Sequence, residues 1–366
     1  MPGVNPGSAP VEQAPLTEHP RNCQGRLDRS VQCVSGQTPS RSLLGLLYRF
    51  ALTQHLEGAD FRRVRDGPMS FESLLAKCSE LLGAVETPAA VAARLRLAHD
   101  GTSADARLQS QLDRIVDLVE PNLLEGLDQA QQAVVLADIS TTIRQSLDFL
   151  ENPSRPLGWH HDDPAVLDSQ GRASKHIISR IQAIATKRAP LAELLRQPGA
   201  FLDIGTGVGW IAIEAARVWP NLRVTGTDIW EPSLALAHRN IADSGMTERV
   251  SVRNENLENL RELARYNLVW LPSLFMPEQV IRRSLAPVFQ ALAPGGTLNF
   301  ALWEVSPDPL RQALTSLAVV RMGGHPWRPE EVESLLNATG FTDVEAFNFP
   351  EVELTLVAGC KPTGAS

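Results

Sequence analysis

Three glycines at alternate positions, Gly205, Gly207 and Gly209, follow directly on the apolar run Phe201-Leu202-Asp203-Ile204, and a helical pattern begins at once. Glycine admits positive φ and brings no β-carbon between backbone and ligand. A strand that turns into a helix through such a loop is a unit of a parallel α/β sheet. The crevice beyond its carboxyl end is where such sheets take ligands. The C-terminal half keeps this alternation. Apolar runs at Phe201–Ile204, Arg223–Thr227, Val250–Arg253, Tyr266–Leu271 and Thr297–Leu302 alternate with helical patterns at 209–218, 232–243, 257–264 and 278–292. That order predicts a doubly wound, Rossmann-like sheet covered on both faces. A helix at 329–339 precedes two close strands, Phe341–Phe349 and Glu353–Cys360, which pair most simply as an antiparallel hairpin at one edge.

Upstream the period is helical and no run alternates with a period of two. Residues 1–40 are rich in Pro, Gly, Ser and Gln and predict a disordered tail. Residues 41–150 predict a small all-α domain, which only by analogy is expected to serve as a lid or dimerisation module. Its first helix carries Leu43, Leu44, Leu46, Leu47, Phe50 and Ala51, and its second Leu74, Leu75, Cys78, Leu81 and Leu82. Thr87-Pro88 reads as an N-cap with proline at the first helical position, which starts a third helix ending at His99. Leu108 to Val119 and Asp128 to Leu150 complete the set. The Pro-rich stretch 151–165 is the expected linker to a ligand-binding domain over 166–366, whose first helix should run from Lys175 to Ala185.

Composition narrows the function. The net charge of −8 and the lack of a basic aromatic stripe count against nucleic acid as a partner. No apolar run is long enough to span a membrane, and the first residues lack the features of a secretory signal. Four scattered cysteines (Cys23, Cys33, Cys78, Cys360) exclude a zinc ribbon or disulfide scaffold and fit a reducing cytoplasm.

The motifs follow one another along the strand ends. The loop spacing is GxGxG, not the GxGxxG of dinucleotide folds, and Asp203 stands two residues before its first glycine. A carboxylate there suits a ligand that carries a cation rather than a diphosphate. Asp228 ends the next strand, where a carboxylate can take both hydroxyls of a ribose. Asn256 follows the third strand with Leu257, and its amide could pair with an adenine amino group. The fourth strand leads into Leu271-Pro-Ser-Leu274, a loop that should face the ligand's reactive end.

In these residues the chain resembles the class I S-adenosylmethionine (SAM)-dependent methyltransferases of small-molecule type, over about residues 165–360. The resemblance implies SAM as the cofactor and a seven-stranded sheet of order 3-2-1-4-5-7-6 with its last strand antiparallel. It implies that Asp203, Gly205, Thr206, Gly207 and Gly209 surround the methionine part of SAM and that Asp228 holds the ribose. Ile229, Asn256 and Leu257 would lie by the adenine, and Leu271 beside the cofactor. LAPGGTLNF (292–300) matches the family's turn into its fifth strand, while Asn267 stands where many members have an acid.

The resemblance implies methyl transfer to a small organic acceptor, at oxygen first, then nitrogen or carbon, of the kind used in specialised metabolism. Trp159, Trp270, Phe275, Met276 and Trp303 are the expected pocket. If a proton must be removed, the candidate bases are His160 and His161 in GWHHDDP and His325 in GGHPW. Neighbours on one loop seldom converge on a single ion, so no metal is expected. The sequence after the fourth strand lacks the Asn/Asp-Pro-Pro-aromatic run of amino-nucleobase methyltransferases. Two other readings stay open: a peptide or protein methyltransferase that docks its substrate on the helical domain, and a non-catalytic SAM-binding regulator. A homodimer through the helical domain is the expected assembly by analogy.

Overall fold

The computed structural model describes residues 69–364. The expected tail, the helix built on Leu43 to Ala51, and Cys23 and Cys33 lie outside the described residues.

The chain enters through α1 (Phe71–His99), whose N-cap Ser70 accepts from the Ser73 N–H. The break expected at Thr87-Pro88 does not occur. Pro88 sits inside one continuous helix, and the Thr87 hydroxyl donates back to the Gly83 carbonyl at 2.8 Å instead of capping a new helix. Next come α2 (Ala106–Val119) and α3 (Gln129–Glu151), the latter opened by a capping box between Asp128 and Gln131. These helices share a small core of Val91, Val116, Val119, Leu123 and Ile139. Leu74, Leu75, Leu81 and Leu82, which the pattern predicts as an inward face, are exposed. No helix of the described residues is long and apolar enough to cross a membrane.

A helix the sequence did not announce, α4 (Pro164–Ala173), begins inside the expected linker, with Asp163 accepting from the Ala165 N–H. It is followed by α5 (Ile177–Lys187) and α6 (Ala189–Arg196). The sheet and its helices then run β1 (Gly199–Ile204), α7 (Trp210–Val218), β2 (Leu222–Asp228), α8 (Glu231–Asp243), β3 (Val250–Asn254) and β4 (Tyr266–Pro272). The second half is α9 (Glu278–Ala291), β5 (Leu292–Trp303), α10 (Pro309–Arg321), α11 (Pro329–Thr339), β6 (Thr342–Phe349) and β7 (Leu354–Cys360). The helix expected at 257–264 is only a 3-10 turn over Leu257–Asn259.

The sheet order is β3-β2-β1-β4-β5-β7-β6, with β1 to β5 parallel and β7 antiparallel to both β5 and β6. Two apolar layers cover it. One joins Ile178, Ile181 and Ile184 of α5 to Phe201, Ile213 and Leu268, and the other joins Leu202, Val269 and Leu271 to Ile281, Leu285 and Val332. Asn267 secures the sheet rather than carrying charge: its Oδ1 accepts from the Ala200 N–H at 2.9 Å. This places the ends of β1, β2 and β4 side by side at the mouth of one cavity.

Candidate functional site

At the end of β1 the chain turns through Gly205, Gly207 and Gly209 with φ of 63°, 55° and 85°, all in the left-handed region. An L side chain is costly there, so the spacing of the glycines is dictated by the backbone. The loop is fastened from inside. The Thr206 N–H donates to the Thr227 carbonyl at 3.0 Å, and the Gly207 N–H to Asp228 Oδ2 at 2.8 Å. Asn240 Nδ2 holds the Val208 carbonyl at 2.9 Å. A β-carbon on Gly207 would meet nothing within 4 Å. That open side is a cradle for a ligand.

Asp203 corrects one expectation. It is fully buried under the loop, where Oδ2 accepts from the Thr206 hydroxyl at 2.7 Å and Oδ1 has no partner. It does not line the cavity; it anchors the loop. Burial pushes its carboxyl up to about 7. Leu271 is the second correction. It is fully buried in the layer with Leu202 and Val269, while its neighbours Trp270 and Pro272 reach the cavity. The side-chain period of two in a strand puts it on the other face.

Asp228 lines the cavity. Its Oδ1 also accepts from the Trp230 N–H at 2.9 Å, and burial raises its pKa. Ile229 is 65% exposed at the cavity wall, an apolar surface that a flat ring would cover. Asn256 and Leu257 close that end, with Asn256 Oδ1 accepting from the Glu258 N–H at 2.9 Å. The cradle, the carboxylate and the uncovered Ile229 fit SAM.

The cavity measures about 1210 Å³ and continues beyond the loop. All five expected pocket residues line it: Trp159, Trp270, Phe275, Met276 and Trp303. Trp159 packs edge-on to Phe275 with ring centres 5.4 Å apart. Elements outside the sheet supply the rest of the wall, among them Asp138, Thr141 and Gln145 of α3, Gln170 of α4 and Leu314 of α10. The contribution of α3 was not legible in the sequence. An acid and a threonine in a helical stripe look like an ordinary surface.

The three histidines separate. His160 lines the cavity, exposed, with Nε2 3.2 Å from the Leu157 carbonyl. His161 is half-buried outside the lining, against Trp159, and burial with the nearby Arg155 lowers its pKa. His325 lies outside the cavity between Glu278 and Glu331, at 3.6 and 3.8 Å, with its ring against Trp327. Arg282 is already bonded to both carboxylates. The neighbouring glycines explain the motif differently. A β-carbon on Gly324 would lie 2.3 Å from the Leu274 carbonyl oxygen and one on Gly323 2.9 Å from the Gly158 α-carbon. Gly-Gly serves a close crossing of backbones.

Residues 201–296, the part with the glycine loop and Asp228, match the family model described as a methyltransferase domain. Over these residues the chain carries a methyltransferase domain. Among curated proteins the chain is similar to the ribosomal protein uL3 glutamine methyltransferase of Bordetella pertussis, 32% identical over 97 residues, which are 24% of this chain and 33% of that one. The chain thus aligns with about a third of that relative's length. Two solved structures share the methyltransferase fold more widely. An O-methyltransferase family protein from Burkholderia thailandensis matches with a TM-score of 0.55 at 16% identity, over 81% of this chain and 100% of that one. Human N-acetylserotonin methyltransferase in complex with SAM matches with a TM-score of 0.53 at 16% identity, over 81% and 99%.

Proposed function

We propose that this protein transfers the methyl group of SAM to a small, largely apolar organic acceptor, at oxygen in the first place. One observation carries the reading: the glycine cradle opens into a cavity whose further walls are aromatic and helical. SAM supplies a methyl carbon activated by its sulfonium. What the protein must supply is alignment and exclusion of water, since a methyl on a good leaving group needs no built nucleophile. Gly207 holds the methionine part in this reading and Asp228 the ribose, and Ile229 and Leu257 flank the base. Trp159, Trp270, Phe275 and Met276 hold the acceptor beside the reactive end. His160, which lines the cavity, stands as the histidine placed to take a proton.

The two O- and small-molecule methyltransferases among the structural neighbours support this reading through their fold. The glutamine methyltransferase likeness favours a peptide acceptor, but it extends over only 97 residues. A wall formed by α3, α4 and α10 suits a molecule that enters whole better than a chain that lies across a groove.

Calorimetry of the full chain with SAM and S-adenosylhomocysteine should show binding of both. Incubation with methyl-labelled SAM and a panel of phenols, hydroxy acids, amines and short glutamine peptides should then label a hydroxylated member. No binding at millimolar nucleoside ends the proposal. Binding without labelling across the panel points to a regulator.

A further inference from the structure

The wall that α3 presents to the cavity carries polar groups with nothing to bond. Asp138, Thr141, Gln145 and Phe149 recur at three- and four-residue steps, so they lie along one helix face, and all four line the cavity. Thr141 is only 6% exposed, and its hydroxyl is buried with no hydrogen-bond partner. Buried hydroxyls are rarely left so. Asp138, one turn earlier, has no hydrogen bond or ion pair among the described residues, and burial pushes its carboxyl up to about 7.

We propose that Asp138 and Thr141 form a hydrogen-bonding subsite for a hydroxyl group on a planar, otherwise apolar acceptor. The proposal rests on the methyltransferase reading and names the substrate class. The aromatic wall of Phe149, Trp159, Phe275 and Trp303 suits a flat apolar body. A charged group is less suited. The charged side chains of the lining already have protein partners: Arg311 pairs with Glu353, Arg321 with Asp148, and Glu255 with Arg253. What remains is a carboxyl and a hydroxyl adjacent on one helix face. A hydroxyl gives one hydrogen bond and accepts two, which matches that pair. Two points on α3 would also orient the ring, leaving a second substituent to face the glycine loop.

Equilibrium dialysis of the full chain with S-adenosylhomocysteine present, using 2-naphthol against naphthalene, tests this directly. The wild type should hold 2-naphthol at least about tenfold more tightly, since a site built to bond a hydroxyl rejects the analogue without one. Thr141→Val and Asp138→Leu should each reduce that preference to less than about threefold, leaving the affinity for S-adenosylhomocysteine unchanged. Both replace an unpartnered polar group with one of similar bulk, and should one fail to fold the other decides. No preference in the wild type, or a preference that survives these substitutions, overturns the subsite. Failure to bind S-adenosylhomocysteine would instead overturn the methyltransferase reading. The naphthol comparison run without the nucleoside would still judge the subsite.

Discussion

Gly171 of α4 lies so close to Val208 of the glycine loop that a β-carbon built on it would fall 2.2 Å from Val208 Cγ2 and 2.9 Å from Trp210 Cδ1. Asp168, one turn earlier, accepts from the Trp210 indole N–H at 3.0 Å and from Arg172 at 2.5 Å. α4 is therefore seated on the glycine loop itself. Gly171→Ala would gain about 1 kcal/mol of helix propensity, but the clash is with a short, branched side chain that cannot swing away. We expect a net loss of about 1–3 kcal/mol in stability and a weaker affinity for S-adenosylhomocysteine. Val208→Ala in the same chain removes the opposing methyl and should restore much of both. Thermal melts and calorimetry on the single and double variants check this. A single variant as stable as wild type would mean that α4 is not seated as described.

Asp228 does two jobs, and the sequence suggested one. It is placed for ribose hydroxyls, and it also caps the Gly207 and Trp230 N–H groups. Asp228→Ala should thus weaken S-adenosylhomocysteine binding by at least about tenfold and also cost about 1–3 kcal/mol of stability from the orphaned N–H groups. Asp228→Asn keeps an oxygen for one of them, so it should recover most of the melting temperature but not the affinity. Equal recovery of both would show that the carboxylate matters only to the loop.

The sheet was legible because each strand ends at a turn signal and each helix between strands has its own period. Parity was not legible in β4. Tyr266–Pro272 is buried on both sides, so the run offers no polar alternation to say that Trp270 and Pro272 face the cavity and Leu271 does not. α4 was missed because Pro164–Ala173 holds only Val166, Leu167 and Ala173 as buried residues, and contains a glycine that signals a turn until the Val208 contact explains it. The acid before the loop was legible as important, but its role was not. A carboxylate at the tip of a strand and one beneath the loop look alike in one dimension. Asp138 was silent for a similar reason: only the fold brings α3 over the strand ends.

Two glycines near the loop should respond in different proportions. Gly207 has φ of 55° and open space where its β-carbon would be, whereas a β-carbon on Gly226 would lie 2.6 Å from Thr206 Oγ1. Gly207→Ala carries a left-handed strain of about 1–2 kcal/mol and places a methyl in the cradle. Affinity for S-adenosylhomocysteine should therefore fall by about a hundredfold, well beyond what the loss of stability explains. Gly226→Ala presses on Thr206 from behind, so stability and affinity should fall together. Melts and binding isotherms measured side by side distinguish the two patterns. Unchanged affinity in Gly207→Ala would remove the cradle from the site.

The buried carboxyl of Asp203 makes stability depend on pH in a defined direction. Its pKa lies at about 7 in the folded chain, against 3.8 for the ordinary side chain. Between those values the unfolded chain has released the proton and the folded chain has not. Unfolding therefore releases a proton, and stability falls as pH rises through this window and levels off above it. Asp203→Asn keeps an oxygen for the Thr206 hydroxyl and has nothing to ionise. Its advantage over wild type should be smallest near pH 4 and grow to the order of 2–4 kcal/mol by pH 8. Asp138 titrates in the same range, but it is present in both proteins and cancels in the difference. Denaturant melts of the two proteins at intervals from pH 4 to 8 give the curve. A difference that stays flat across that range would mean that Asp203 is ionised in the folded state, held there by a partner other than Thr206.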